Sequence, residues 1–164
     1  MLKYLDKNLD SETLKYFYSI CIKEKLFNSF KILIDKENII DWKYVYDSCL
    51  HAKLPSFVIY MKQKNPTLCN PEKETQLCVF MIENKDEKNF KYFCNNFSIN
   101  SEQCYLSAIE NKNLNIIKFL QSKHYRMSDM VEKIYLENLE NLKSENEKNL
   151  EIYGKPFYFP KNYK

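Results

Sequence analysis

Glycine occurs once in these 164 residues, at Gly154, and arginine once, at Arg126. One glycine is too few for a glycine-rich phosphate loop or a nucleophile elbow. Only two histidines are present, His51 and His124, and no His-Glu-x-x-His or Cys-x-x-Cys spacing occurs, so neither a zinc site nor a histidine-centred triad is expected. No stretch approaches the roughly 18 apolar residues of a membrane span. The opening Met-Leu-Lys-Tyr-Leu-Asp-Lys lacks the apolar run and small-residue cleavage site of a secretory leader. The expectation is a cytoplasmic, noncatalytic chain with no cofactor, no metal and no membrane partner. With arginine nearly absent, bidentate reading of base edges is disfavoured, and a net charge of +3 is too small to argue for nucleic acid. Sequence-specific DNA binding is therefore not expected.

What the chain does have is 45% hydrophobic and 29% charged residues, with a 15% aromatic share that argues for a folded core of about one domain. Abundant Lys, Asn, Ile and Tyr is the bias an AT-rich genome writes into its proteins. Six cysteines, Cys21, Cys49, Cys69, Cys78, Cys94 and Cys104, fall mostly on apolar helical faces, where they read as small buried hydrophobes.

Four stretches superpose. Cys21, Cys49, Met81 and Ala108 align; four positions on stand Lys25, Lys53, Lys85 and Lys112. Nine on are Phe30, Val58, Phe90 and Ile117, and twelve on are Leu33, Met61, Phe93 and Leu120. Ile39, Leu68, Ile99 and Met127 recur in the connections. A period of roughly 30 residues is the mark of stacked helical pairs, none of which can bury its apolar face alone. The spacing predicts an all-α fold, a short α-solenoid of about four helical hairpins.

The units run about 11–40, 41–69, 70–99 and 100–127. Asp10 or Ser11, Asp41, Asn70 with Pro71, and Asn100 with Ser101 supply start signals, and Pro55 opens the second helix of its unit. Leu26, Phe30, Leu33 and Ile34 are expected on the inner stripe of the first unit's second helix. Residues 128–149 read as a capping helix with Met130, Val131, Ile134, Tyr135, Leu139 and Leu142 on one side, closing a repeat domain of 1–149.

The run from Ser107 to Leu120 resembles the centre of an ankyrin repeat: Ala108 lies on the family's first alanine, Lys112 on its turn glycine, and Ile116-Ile117-Lys118-Phe119-Leu120 on its second-helix run. The family's Thr-Pro-Leu-His opening is missing and lysine replaces the turn glycines throughout. The resemblance covers residues of roughly 11–127 and implies a divergent ankyrin-like stack, with other helical-hairpin arrays as the alternative. It further implies protein binding on a helical surface.

Residues 150–164 break the pattern: Pro156 and Pro160 forbid a helix, so an extended tail is expected. Lys155, Phe157, Tyr158, Phe159, Lys161, Tyr163 and Lys164 interleave rings with ammonium groups, a composition suited to docking on acidic or phosphate surfaces or to folding back on the repeats. These residues, with the turn ladder Lys25, Lys53, Lys85 and Lys112, are the candidate partner-binding set; a solvated turn is the plain alternative for the ladder. The function expected is a noncatalytic macromolecular-interaction module that docks on a protein partner or large protein complex. In composition and size the chain also resembles the small dormancy factors of microsporidian ribosomes, which implies, as the alternative, a ribosome- or rRNA-bound factor silencing translation.

Overall fold

Seven of the helices begin at a side chain that closes the first turn, Ser128 among them, whose Oγ accepts from the Val131 N–H at 3.4 Å. Asp10 accepts from the Thr13 N–H at 2.8 Å, Asp41 from Tyr44 at 3.0 Å, Asn70 from Lys73 at 3.3 Å and Asn100 from Gln103 at 3.2 Å. Asp86 and Asn113 do the same for Asn89 and Ile116. Each such cap contributes about 1 kcal/mol. The structure, a computed structural model, describes residues 10–36 and 41–153, with the backbone alone for Lys36 and residues 142–153. Among the described residues the chain is all-helical: α1 (Ser11–Lys23), α2 (Phe27–Lys36), α3 (Trp42–His51), α4 (Pro55–Lys64), α5 (Pro71–Glu83), α6 (Glu87–Asn96), α7 (Ser101–Glu110), α8 (Leu114–Ser122) and α9 (Asp129–Tyr153). Pro55 and Pro71 take the first helical position, where no N–H is missed.

Consecutive helices pair as α1–α2, α3–α4, α5–α6 and α7–α8, and the pairs stack: α1 on α3, α3 on α5, α5 on α7 and α7 on α9 form one layer, while α2, α4 and α6 pack in turn in the other. The repeat positions lie between the layers. Cys21, Cys49, Met81 and Ala108 are all buried, as are Phe30, Val58, Phe90, Ile117, Leu33, Met61, Phe93 and Leu120. The rings of Tyr18, Tyr46 and Tyr105 are buried one turn before their anchors. Burial of each Val, Leu, Ile, Phe or Met among them stabilises by about 1.5–3 kcal/mol. Of the connection set, Leu68 is buried, Ile99 and Met127 are half-buried, and Ile39 lies outside the described residues.

Three details depart from expectation. Leu26 is exposed, because it stands in the turn ahead of α2, its carbonyl capping that helix by accepting from the Phe30 N–H. Met130 is exposed while its neighbour Val131 is buried, since adjacent residues point about 100° apart around a helix. α9 continues to Tyr153 rather than ending near 149, as no Pro or Gly precedes Gly154. No helix among the described residues is long and apolar enough to cross a membrane.

Candidate interaction surface

The four hairpin turns are copies of one another. In the third, the Met81 carbonyl accepts from the Asp86 N–H at 2.8 Å and the Ile82 carbonyl from Lys85 at 3.1 Å. Cys21–Leu26, Cys49–Leu54 and Ala108–Asn113 repeat the first of these bonds; Ile22–Lys25, Leu50–Lys53 and Ile109–Lys112 repeat the second. This paired closure needs a left-handed residue after the helix, ordinarily glycine. Here the residue is lysine each time: Lys25 has φ 53°, Lys53 54°, Lys85 58° and Lys112 51°. All four side chains are exposed along the turn edge. The Lys53 ammonium sits 4.8 Å from the ring centroid of Phe80 on α5. Lys85 and Lys112 border a groove of about 310 Å³ between the third and fourth turns.

A second groove, of about 470 Å³, crosses α2, α4 and α6 on their solvent side and is lined by Phe27, Lys31, Tyr60, Lys88 and Tyr92 among others. Its rings are tied down. The Tyr60 hydroxyl donates to Asp35 Oδ1 at 2.6 Å, and Gln63 Nε2 donates to the Tyr92 hydroxyl at 2.9 Å. Lys31 Nζ lies 5.3 Å from the Tyr60 centroid and 5.7 Å from that of Phe27, with Lys64 Nζ 5.4 Å from Tyr60. Lys64 also pairs with Asp35 at 2.6 Å. The Lys64 bond, with help from the Tyr60 hydroxyl, holds the Asp35 carboxyl below its ordinary value.

Beneath these surfaces is a polar knot that the sequence pattern does not reveal. Glu74 is fully buried; its Oε1 accepts from the Tyr46 hydroxyl at 2.7 Å and from the Asn70 N–H at 3.0 Å, and lies 3.7 Å from Lys62 Nζ. Lys62 also donates to the Leu68 carbonyl, and its ammonium sits 4.9 Å from the Phe97 centroid. Asn70 Nδ2 donates to Asp47 at 2.8 Å. Burial, followed by the hydrogen bond to Glu74, pushes the Tyr46 phenol far above its ordinary value. The knot joins α3 and α4 to α5. It is a structural fastening, since every polar contact named in it is internal.

Five of the six thiols are buried and Cys69 is exposed. A hydrogen bond with Cys104 and burial both push Cys78 up, and burial pushes Cys49 up and Cys94 to about 12. Thiols held in the neutral form are poor nucleophiles and poor metal ligands. Among the described residues no group of three His, Cys, Asp or Glu is placed to hold a metal ion. Of the partner-binding residues read from the sequence, the structure brings Lys25, Lys53, Lys85 and Lys112 to one edge. Lys155, Phe157, Tyr158, Phe159, Lys161, Tyr163 and Lys164 lie outside the described residues. The chain significantly matches no protein-family model, no curated protein and no solved structure.

Proposed function

We propose that this chain is a noncatalytic interaction module, a short α-solenoid of ankyrin-like or related helical-hairpin type that docks on a larger assembly. The observation that supports it is the four turn lysines. A left-handed backbone costs a side-chain-bearing residue roughly 1 kcal/mol more than glycine. Lysine nevertheless stands at all four equivalent positions, giving the stack an edge with one ammonium per unit. An edge of evenly spaced cations along stacked helices suits a long anionic surface on a macromolecule better than a small ligand. The segment 155–164, with its rings and lysines, is assigned to the same contact.

The test is affinity isolation of the full chain from its native cell extract beside a chain carrying Lys25, Lys53, Lys85 and Lys112 changed to Gln. A macromolecule retained by the first and released by the second at lower salt bears the reading out. Recovery of a ribosomal particle selects translational silencing as the process served. Retention of no macromolecule, together with turnover of a small substrate, sinks the reading.

A further inference from the structure

Folding sorts the charges that a net of +3 conceals. Among the described side chains, helices α2, α4, α6 and α8 carry six lysines against two carboxylates, Asp35 and Glu87, a net of +4. Among the described side chains, helices α1, α3, α5, α7 and α9 carry five lysines against eleven carboxylates, a net of −6 that comes from α5, α7 and α9, since α1 is weakly positive and α3 neutral. Both carboxylates of the basic layer are already engaged: Asp35 by Lys64 and Tyr60, Glu87 by Lys91 at 3.3 Å and by Asn115. The groove over α2, α4 and α6 opens on this basic layer, next to the edge of turn lysines.

We propose that this groove is the docking face for an extended acidic polypeptide segment, seated across Phe27, Lys31, Tyr60, Lys88 and Tyr92. The proposal rests on the reading of the chain as an interaction module and names its surface and its partner chemistry. Three observations favour an acidic peptide over single-stranded nucleic acid. Stacking of bases needs open ring faces, whereas Lys31 and Lys64 lie over Tyr60 and Lys31 over Phe27. The Tyr60 and Tyr92 hydroxyls already have partners. The cations are lysines, which act as point charges and do not fork around a planar group. The spacing also fits: packed helices lie about 8–10 Å apart, and an extended peptide covers that distance in about three residues of roughly 3.3 Å each. A continuous acidic run keeps a carboxylate on the facing side of the strand within reach of each helix in turn. Ile59 gives the segment apolar floor between them.

The experiment uses the full chain and fluorescence anisotropy of a labelled oligo-glutamate of about twelve residues, enough to cross three helices. An oligouridylate of equal charge is the companion probe. The expected result is salt-sensitive binding of oligo-glutamate that weakens about tenfold or more in Lys31→Glu/Lys88→Glu, while Lys15→Glu/Lys43→Glu on the opposite layer changes it by less than about twofold. Lys31→Gln/Lys88→Gln gives a smaller loss in the same direction and guards against a reversal that disturbs the fold. Equal weakening by both reversed pairs reduces the effect to net charge and overturns the proposal. Tighter binding of oligouridylate overturns it in favour of nucleic acid, and absence of oligo-glutamate binding at low salt overturns it outright. A native macromolecule that stays bound to Lys31→Glu/Lys88→Glu leaves the interaction module standing and removes this surface from it; a wild-type chain that retains none removes both.

Discussion

Tyr46 on α3 and Glu74 on α5, 28 residues apart in the chain, meet in a single buried hydrogen bond of 2.7 Å. It couples the second repeat to the third at a point where water cannot replace either partner. Removing the donor leaves a buried carboxylate oxygen less well satisfied, at a cost of about 1–3 kcal/mol. Tyr46→Phe is therefore expected to lower the urea midpoint by that amount with an unchanged denaturant slope. A midpoint equal to wild type would show the bond to be without energetic weight.

The turn lysines offer a test of opposite sign. Lys85 has φ 58°, a region glycine enters freely. Lys85→Gly should raise stability by about 1 kcal/mol, and Lys85→Val should lower it, since a β-branched side chain tolerates that backbone least. Thermal melts of the two variants decide the matter.

Ala108 is fully buried on α7, the helix packed between α5 and α9. Arginine there would place a charge with no partner between helices, at a cost of several kcal/mol, which is most of what holds a domain of this size together. Ala108→Arg should lose its cooperative melting transition or shift it down by well over 10 °C, at about 2–8 °C per kcal/mol. An unshifted transition would break the assigned repeat register.

Native thiol chemistry separates Cys69 from the rest. It alone of the six cysteines is exposed. At pH 8 an aromatic disulfide reagent should titrate one thiol rapidly, with the other five released only by denaturant. Rapid reaction of two or more would show the core at Cys78 and Cys104 to be open.

Asp35 sets a pH dependence. Its folded carboxyl is held low by Lys64 and Tyr60, so the stability it lends is fully present above the unfolded value of about 3.9 and fades as pH falls through the lower folded value. The gap in stability between wild type and Asp35→Asn should accordingly be widest near neutrality and close in acid as pH falls through the lowered folded value. Because the pair is exposed, the gap is small and shrinks with salt. A gap that widened on acidification would reverse the assignment.

Much of the fold is legible in the sequence because its causes are local or periodic. Asp41, Asn70 and Asn100 announce helix starts through their own backbone bonds, and Cys49, Met81 and Ala108 recur at the spacing their burial requires. Glu74 was not legible. It stands seven residues before its anchor, where the other units have Leu14, Trp42 and Ser101, and a glutamate in a first helical turn ordinarily faces solvent beside the helix dipole. Its burial is made possible by Tyr46 and Lys62, brought in from α3 and α4. The sorting of charge between layers escaped for a related reason: negative α5, α7 and α9 are separated along the chain by positive α6 and α8, so any window longer than one hairpin averages them away. The turn lysines were visible as a ladder, and their place on the ankyrin turn glycine was the one hint of a left-handed backbone that lysine itself does not announce.

Stacking by neighbours has a kinetic corollary. Among the described residues the pair α1–α2 packs chiefly on α3–α4, whereas α5 is clasped from both sides and shares its broadest contact with α7. Amide protons should accordingly exchange along a gradient, fastest toward Ser11 and slowest around Met81 and Ile82, as the first hairpin peels away while the middle of the row stays shut.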